Sequence, residues 1–121
     1  MFTGIIQAVG EVAAIEQTGG DAELRIKTGA WPLEDVQLGD SIATNGVCLT
    51  VTELPGDGYW ADVSTETLSL TSLKSIVVGS AVNLEKSLTP TTALGGHLVS
   101  GHVDGLGRVV ALTRDARSWR V

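Results

Sequence analysis

The chain has little cysteine, few basic residues and no long apolar run, and each shortage argues against a class of function. Its 121 residues include one cysteine, Cys48, so no disulfide can form within the chain, which fits a reducing compartment. The net charge of −6 argues against nucleic acid or an anionic membrane surface as a partner. No apolar stretch approaches the ~18 residues that span a bilayer, and the N-terminus has no basic leader. We therefore expect a soluble cytoplasmic protein.

The chain begins to repeat itself near its end. Residues 2–15, FTGIIQAVGEVAAI, align with residues 99–112, VSGHVDGLGRVVAL, at an offset of 97 residues. Solenoid repeats are about 20–50 residues long, so a repeat of this length indicates a duplicated domain. The shared glycine spacing (Gly4 with Gly101, Gly10 with Gly107) favours duplication over a chance match. We therefore expect one complete domain, residues 1–97, and the beginning of a second, incomplete one, residues 98–121.

Short β-rich runs between glycines are typical of an all-β barrel or sandwich. Gly10 falls inside the first run, where a glycine often marks a bulge or a bend. The favoured fold is a small six-stranded Greek-key closed barrel, duplicated in tandem in the parent protein, and an open sandwich is the alternative. The predicted strands are residues 5–15, 22–28, 40–44, 47–54, 58–63 and 81–86.

Between residues 64 and 77 the apolar spacing becomes helical. Leu70, Leu73 and Val77 would share one face of a short helix, and Ser64 or Thr65 would cap its start. A strand that leads into a helix presents free backbone N–H groups beside hydroxyl side chains. Such a junction suits an uncharged polyol or a heterocycle with carbonyls, although ordinary helix capping would explain some of the hydroxyls.

The clearest local prediction is a hairpin at 41–54 that turns at Asn45-Gly46. A two-residue turn there would pair Ser41 with Thr50 and Ala43 with Cys48. With the aliphatic side chains facing the core, Ser41, Cys48 and Thr50 would share the other face. A solvated strand surface would account for the threonine, but free cysteine is usually buried. We therefore expect a ligand or another subunit to cover Cys48.

The sequence offers no evidence for a metal or a phosphate site. His97 and His102 lie five residues apart and would point to opposite faces of a strand, without a cluster of further ligands. The glycines around them match neither GxGxxG nor GxxxxGK[ST]. They suit close approach of the backbone to a flat ligand, or tight turns at a domain junction. Motifs for generic hydrolases are missing as well.

Several segments, taken in order, resemble the alpha chain of the riboflavin synthase family. They are MFTGIIQ at the N-terminus, NGVCLTV at 45–51, STETL at 64–68, VNLEKS at 82–87 and GGHLVSGHVDG at 95–105. The resemblance implies two similar six-stranded barrels in tandem, each binding one lumazine. It also implies that two molecules of 6,7-dimethyl-8-ribityllumazine give riboflavin and a ribitylaminopyrimidinedione by transfer of a four-carbon unit, which makes the enzyme a transferase. No metal and no organic cofactor is implied.

The resemblance also implies site residues. Ser41, Cys48 and His102 would lie nearest the chemistry, with Phe2 close to the site. The hairpin argument places Ser41 and Cys48 on one face independently. A single ligand would contact the first three of four segments without help from the second barrel. The four implied segments are Gly4, Ile5 and Ile6; Cys48, Leu49 and Thr50; Asp62, Val63, Ser64, Thr65, Glu66 and Thr67; and Gly101, His102 and Val103.

The absent remainder of the second barrel makes turnover by this chain doubtful, and two other functions stay open. In the family, catalysis joins the N-terminal barrel of one subunit to the C-terminal barrel of another within a homotrimer, and a homodimer is the alternative for this chain alone. One further reading is a non-catalytic lumazine- or flavin-binding antenna protein. The other is an interaction module whose hydroxyl-rich face is ordinary surface. Cys48 together with His102 favours the enzyme.

Overall fold

The strands of this chain close on themselves. The structure, a computed structural model, describes residues 1–121. Its barrel strands are β1 (Ala8–Thr18), β2 (Asp21–Lys27), β3 (Ser41–Thr44), β4 (Val47–Glu53), β5 (Gly58–Val63) and β6 (Ala81–Lys86). They are antiparallel and are ordered β1-β2-β5-β4-β3-β6 around the barrel. Because β1 pairs with both β2 and β6, the sheet has no free edge, and the predicted closed barrel is confirmed over the sandwich.

The first strand differs most from its prediction. It begins at Ala8 instead of residue 5 and continues to Thr18. Its register shifts between Val12 and Ala14, so the bulge lies beyond Gly10. Gly10 serves close packing instead, because a Cβ there would lie 2.7 Å from Leu84 Cδ1 and 2.7 Å from the Lys27 carbonyl oxygen.

The hairpin forms in the predicted register. Ser41 pairs with Thr50, Ile42 with Leu49 and Ala43 with Cys48. Asn45 and Gly46 adopt φ values of 50° and 78°, the left-handed conformations that a tight hairpin turn requires. Leu49 is buried and Cys48 faces outward, as the alternation of side chains predicts.

The helical segment is shorter than predicted. Ser64 caps helix α1 (Thr65–Leu70), which is followed by a 3₁₀ turn at Ser72–Ser75. Thr71 separates the two because its backbone is extended and its hydroxyl accepts a hydrogen bond from the Leu73 N–H. The prediction that Leu70, Leu73 and Val77 share one helix face is therefore wrong beyond Leu73, and Val77 is exposed. No helix is long and apolar enough to cross a membrane.

The barrel interior holds one polar pair. Thr44 and Tyr59 are both fully buried, and their hydroxyl oxygens lie 2.6 Å apart in a hydrogen bond. Burial raises the pKa of the Tyr59 phenol well above its ordinary value, because phenolate cannot be hydrated there. Aliphatic side chains from all six strands surround this pair.

Residues beyond the barrel form two different structures. Residues 97–103, called the strap below, cross the barrel surface, where Val99 makes an isolated antiparallel bridge to Phe2. A separate hairpin joins β7 (Thr113–Asp115) to β8 (Ser118–Arg120). Its pair Asp115–Ser118 lies 97 residues after the β1–β2 pair Thr18–Asp21, so the sequence repeat is also a repeat of strand register.

The Thr44–Tyr59 pair predicts strong coupling between two substitutions. Tyr59→Phe leaves the Thr44 hydroxyl buried without a partner, and Thr44→Val does the same to the phenol. Each should lower the free energy of unfolding by about 1–3 kcal/mol. The double variant should lose clearly less than the sum, because neither unpaired group remains. Urea unfolding of the four proteins measures this, and strictly additive losses would contradict the buried bond.

Candidate functional site

The candidate site begins with the pairing of the two repeat copies. The Phe2 N–H donates to the Val99 carbonyl at 2.7 Å, and the Val99 N–H donates back to the Phe2 carbonyl at 2.9 Å. The two residues are 97 positions apart, so equivalent positions of the repeat pair with each other. The His97 N–H adds a bond of 2.8 Å to the Thr3 carbonyl. These bonds fix where the strap lies on the barrel.

Gly101 brings the strap into contact with the hairpin. Its carbonyl accepts a hydrogen bond of 2.9 Å from the Cys48 N–H. Its φ is 77°, and a Cβ there would lie 2.9 Å from Cys48 Cβ and 3.1 Å from Phe2 Cε2. Only glycine fits this position without strain. Cys48 is therefore covered in part by the strap, a segment of its own chain, although the sequence indicated a ligand or another subunit.

A cleft of about 210 Å³ lies between β4, helix α1 and the strap. It brings together six of the predicted site residues. These are Cys48, Glu66, Thr67, Gly101, His102 and Val103. Val47, Leu70 and Thr71 complete its lining.

Helix capping aims the helical residues into the cleft. The Ser64 hydroxyl accepts from the Thr67 N–H at 3.2 Å and donates to the Thr67 hydroxyl at 3.0 Å. One turn later the Thr71 hydroxyl donates to the Thr67 carbonyl at 2.7 Å. Leu70 and Thr71 lie three or four residues beyond Thr67, on the same helix face. Helical spacing counted from Thr67 would have found them.

The remaining polar residues of the hairpin form a row beside the cleft. Ser41 pairs with Thr50, and the Val51–Ala61 register places Thr50 level with Asp62 on the outer face. Neither Ser41 nor Thr50 lines the cleft, since both lie one step along the face from Cys48. Asp62 in turn pairs with Glu23. Partial loss of solvent and, after it, the charge of Asp62 raise the pKa of the Glu23 carboxyl. Two carboxyl groups therefore lie close together at this end of the row.

Some predicted site residues point elsewhere. The side chains of Leu49 and Val63 are buried in the barrel core, so they could reach a ligand only through their backbone. The Thr65 hydroxyl donates to the Gly20 carbonyl at 2.6 Å, toward the β1–β2 turn. Phe2 is buried beneath the strap and supports Gly101 from behind.

The first predicted segment, Gly4–Ile6, lies apart from the cleft. Gly4 and Ile6 line a different small cavity of about 70 Å³ together with Ala43 and Glu85, and Ile5 is exposed. Gly4–Ile6 and Cys48 therefore line different cavities in this structure, and their contact with one ligand stays a prediction. The repeat explains why, because the equivalents of Gly4–Ile6 are Gly101–Val103, which occupy the cleft of this barrel instead.

The composition of the cleft limits what it can bind. Val47, Leu70 and Val103 are apolar, while Glu66, Thr67 and His102 supply a carboxylate, a hydroxyl and an imidazole. No lysine or arginine lines it, which disfavours a phosphate group. The chain has no group of three or more His, Cys, Asp or Glu side chains placed to hold a metal ion. A flat heterocycle with an uncharged hydroxyl-bearing tail matches these groups.

Larger cavities lie away from the cleft. One of about 410 Å³ is formed by the segment Thr28–Glu34 with Leu54, Gly56 and Gly58. Another of about 460 Å³ is formed by the first residues of β1 together with Lys27, Gly29, Gly79 and Ala81. Neither includes a predicted site residue, and neither combines a thiol, an imidazole and hydroxyls as the cleft does.

Comparison with known proteins identifies the family. Residues 3–87 match the family described as the lumazine binding domain. A riboflavin synthase of Photobacterium leiognathi is 52% identical over 121 residues, which is 100% of this chain and 56% of that protein. A riboflavin synthase of Bacillus subtilis (strain 168) is 46% identical over 112 residues, covering 93% of this chain and 52% of its own length. This chain thus spans about half the length of these curated relatives.

Solved structures agree with the sequence comparison. The crystal structure of LumP complexed with 6,7-dimethyl-8-(1'-D-ribityl) lumazine aligns with a TM-score of 0.78 and 28% identity, covering 98% of this chain and 66% of LumP. LumP complexed with riboflavin also aligns with a TM-score of 0.78, over 96% of this chain and 62% of LumP.

The tight fit at Gly101 predicts the effect of one added methyl group. In Gly101→Ala, left-handed backbone strain of about 1–2 kcal/mol and the contact with Cys48 should displace the strap. The Cys48 N–H would then lose its acceptor. Amide hydrogen exchange measured by NMR should be clearly faster at Cys48 and Val99 than in the unsubstituted chain. Gly105→Ala is the matched control, since Gly105 has open space around it and an ordinary φ. Unchanged exchange at Cys48 would contradict the proposed fit.

Proposed function

This chain belongs to the lumazine-binding domain family, and we propose that its cleft binds 6,7-dimethyl-8-ribityllumazine and that the whole protein is a riboflavin synthase. The observation that carries the proposal is that Cys48, Thr67 and His102 meet in one cleft beside helix α1. Its riboflavin synthase relatives are about half identical to this chain. The activity proposed for the whole protein is dismutation of two lumazines to riboflavin and a ribitylaminopyrimidinedione.

The lining of the cleft supports this ligand class. Val47, Leu70 and Val103 offer apolar surface to a flat ring, and the backbone near Gly101 can approach it closely. Glu66 and Thr67 offer an acceptor and a hydroxyl to the hydroxyl groups of a ribityl chain. The polar row of Ser41, Thr50 and Asp62 continues from the cleft along the barrel surface.

The proposed reaction removes a proton from the C7 methyl group of one lumazine and adds a nucleophile at C7 of the other. His102 is exposed at the cleft, and its imidazole is the proposed acceptor of that proton. Cys48 and Ser41 lie on the adjoining outer face and supply polar groups next to the ring. Much of the rate in this proposal comes from holding two flat substrates face to face.

We also propose that residues 98–121 begin a second barrel of the same fold. The β7–β8 pair repeats the β1–β2 register at the offset of 97 residues. In the second barrel, Gly4–Ile6 would take the place that Gly101–Val103 take here. The second-barrel counterparts of Ser41, Cys48 and Thr67 fall beyond Val121 by the same offset. Each barrel would thus complete the ligand cleft of the other.

A non-catalytic lumazine- or flavin-binding protein is the second candidate. The likeness to LumP complexed with a lumazine, riboflavin and flavin mononucleotide favours it. Cys48 and His102 within one cleft favour the enzyme instead. A turnover assay separates the two.

We predict that this chain binds a ligand but converts little substrate. Catalysis needs a second lumazine stacked on the first, and a misplacement of about 1 Å can cost roughly 100-fold in rate. Titration with 6,7-dimethyl-8-ribityllumazine, followed by ligand fluorescence, should saturate, while riboflavin formation should stay far below that of a two-barrel relative. The interaction-module alternative predicts no binding of either compound, and turnover near that of a two-barrel relative would refute the need for a second barrel.

We also predict that the chain associates with itself in solution, because apolar side chains remain exposed before β1, near its start and in the strap. Ile5, Ile6, Val9 and Leu98 each expose roughly half or more of their surface. A two-fold homodimer would cover them by imitating the pairing of two barrels, whereas the proposed whole protein is a homotrimer. Light scattering over a concentration series should give a dimer mass, and Ile6→Asp should shift it toward the monomer. A monomer mass at every concentration contradicts the prediction.

A further inference from the structure

Glu85 is a buried carboxylate whose partners all lie at the N-terminus. The residue is only 3% exposed. Its Oε1 accepts hydrogen bonds of 2.6 Å from both the Thr3 N–H and the Thr3 hydroxyl. Its Oε2 accepts one of 3.2 Å from the Gly4 N–H. None of the salt bridges in the structure involves Glu85.

A carboxylate buried without these partners would be strongly unfavourable. The hydrogen bonds from Thr3 and Gly4 to Glu85 therefore favour one placement of the N-terminal segment. A carboxylate removed from water must be paired or hydrogen-bonded. Here the hydrogen-bond donors are two backbone N–H groups and a hydroxyl, all 81 or 82 residues away in sequence. Glu85 therefore has its hydrogen-bond donors only when the N-terminal segment lies where it does in this structure.

The sequence repeat separates the role of Glu85 from that of the local turn. In the first copy the Ile5 N–H donates to the Thr3 hydroxyl at 3.1 Å, and in the second the His102 N–H donates to the Ser100 hydroxyl at 3.1 Å. Gly4 and Gly101 have similar φ values, 83° and 77°. Ser100 has no carboxylate partner, yet its turn is the same. Glu85 is thus unnecessary for the turn itself, and its contribution is to attach the segment to the barrel.

The attachment point lies on the same row of the barrel as Cys48. Ala43 pairs with Glu85 on one side and with Cys48 on the other, so the three residues lie side by side on β6, β3 and β4. Thr3 is hydrogen-bonded to Glu85 at one end of this row, and Gly101 is hydrogen-bonded to Cys48 at the other. Phe2 joins them through its pair with Val99.

We infer that Glu85 is a positioning residue for the ligand cleft. It fixes Thr3 and Gly4 on β6, and through the Phe2–Val99 pair it sets the position of the strap that carries Gly101, His102 and Val103. Its effect on ligand affinity rests on the proposed function, whereas its effect on the strap does not. Glu85 itself does not line the cleft.

The test combines substitutions at both ends of the contact. Glu85→Gln keeps the size of the side chain but replaces one acceptor by a donor that faces the existing donors. Thr3→Val replaces the hydroxyl by a methyl group, which removes its bond to Glu85 and the acceptor of the Ile5 N–H. Both variants should show faster amide exchange by NMR at Val99 on the strap and at Cys48 on β4. Both should also bind 6,7-dimethyl-8-ribityllumazine more weakly, by about tenfold for Glu85→Gln, which corresponds to about 1.4 kcal/mol.

Thr3→Ser and Glu11→Gln are the matched controls. Serine keeps the hydroxyl, as Ser100 does in the second copy. Thr3→Ser should therefore show the same exchange and the same affinity as the unsubstituted chain. Glu11 is exposed on β1, and its substitution changes the charge equally without touching the segment. A merely destabilising effect would change exchange throughout the barrel core instead of at the strap.

Several outcomes overturn the inference. Protection of Val99 and Cys48 unchanged in both Glu85→Gln and Thr3→Val would do so, as would Thr3→Ser behaving like Thr3→Val. If Glu85→Gln does not fold, the comparison of Thr3→Val with Thr3→Ser still decides whether the Thr3 hydroxyl, through its bonds to Glu85 and to the Ile5 N–H, positions the strap. If the parent protein binds neither the lumazine nor riboflavin, the proposed function fails, and the exchange data continue to test the positioning role independently.

Discussion

The arrangement of the candidate site depends on how the paired residues Phe2 and Val99 sit on the barrel. They lie across a row of outward positions, Glu85, Ala43 and Cys48, on three adjacent strands. Hydrogen bonds to Glu85 hold one end, and the bond from Cys48 to the Gly101 carbonyl holds the other. Phe2 is buried between them, so apolar burial and polar bonds act on the same short segment.

This arrangement explains why a cysteine stands on the outer face of a strand. Ala43 and Cys48 would be exposed on a bare barrel, but the strap and Phe2 cover much of both. Small side chains are required because the strap backbone approaches closely at Gly101. The small-residue character of this face therefore reflects packing against the chain itself as much as the chemistry of a ligand.

Features set by neighbouring residues could be predicted from the sequence, and features set by distant ones could not. The register of β3 and β4 follows from Asn45-Gly46, because a two-residue turn fixes which residues face each other. The strand pattern favours a closed barrel and keeps an open sandwich as the alternative, whereas the family resemblance implies the barrel. The helix end at Thr71 was missed because a single hydroxyl contact overrides the apolar spacing that continues to Val77. The partners of Glu85 and the separation of Gly4–Ile6 from Cys48 depend on contacts that no local pattern encodes.

The cleft is built by a long-range contact between the two copies of the sequence repeat. A segment of one copy forms one wall of the cleft on the other, because Gly101–Val103 follow the second-copy residue Val99 that pairs with Phe2. Equivalent residues pair with each other, so the pairing has local two-fold symmetry. The opening residues Gly4–Ile6 of the barrel do not line its cleft, since the Gly4 N–H is bonded to Glu85 on β6. A displacement of the N-terminal segment is therefore transmitted to the cleft through the short pair of backbone hydrogen bonds between Phe2 and Val99.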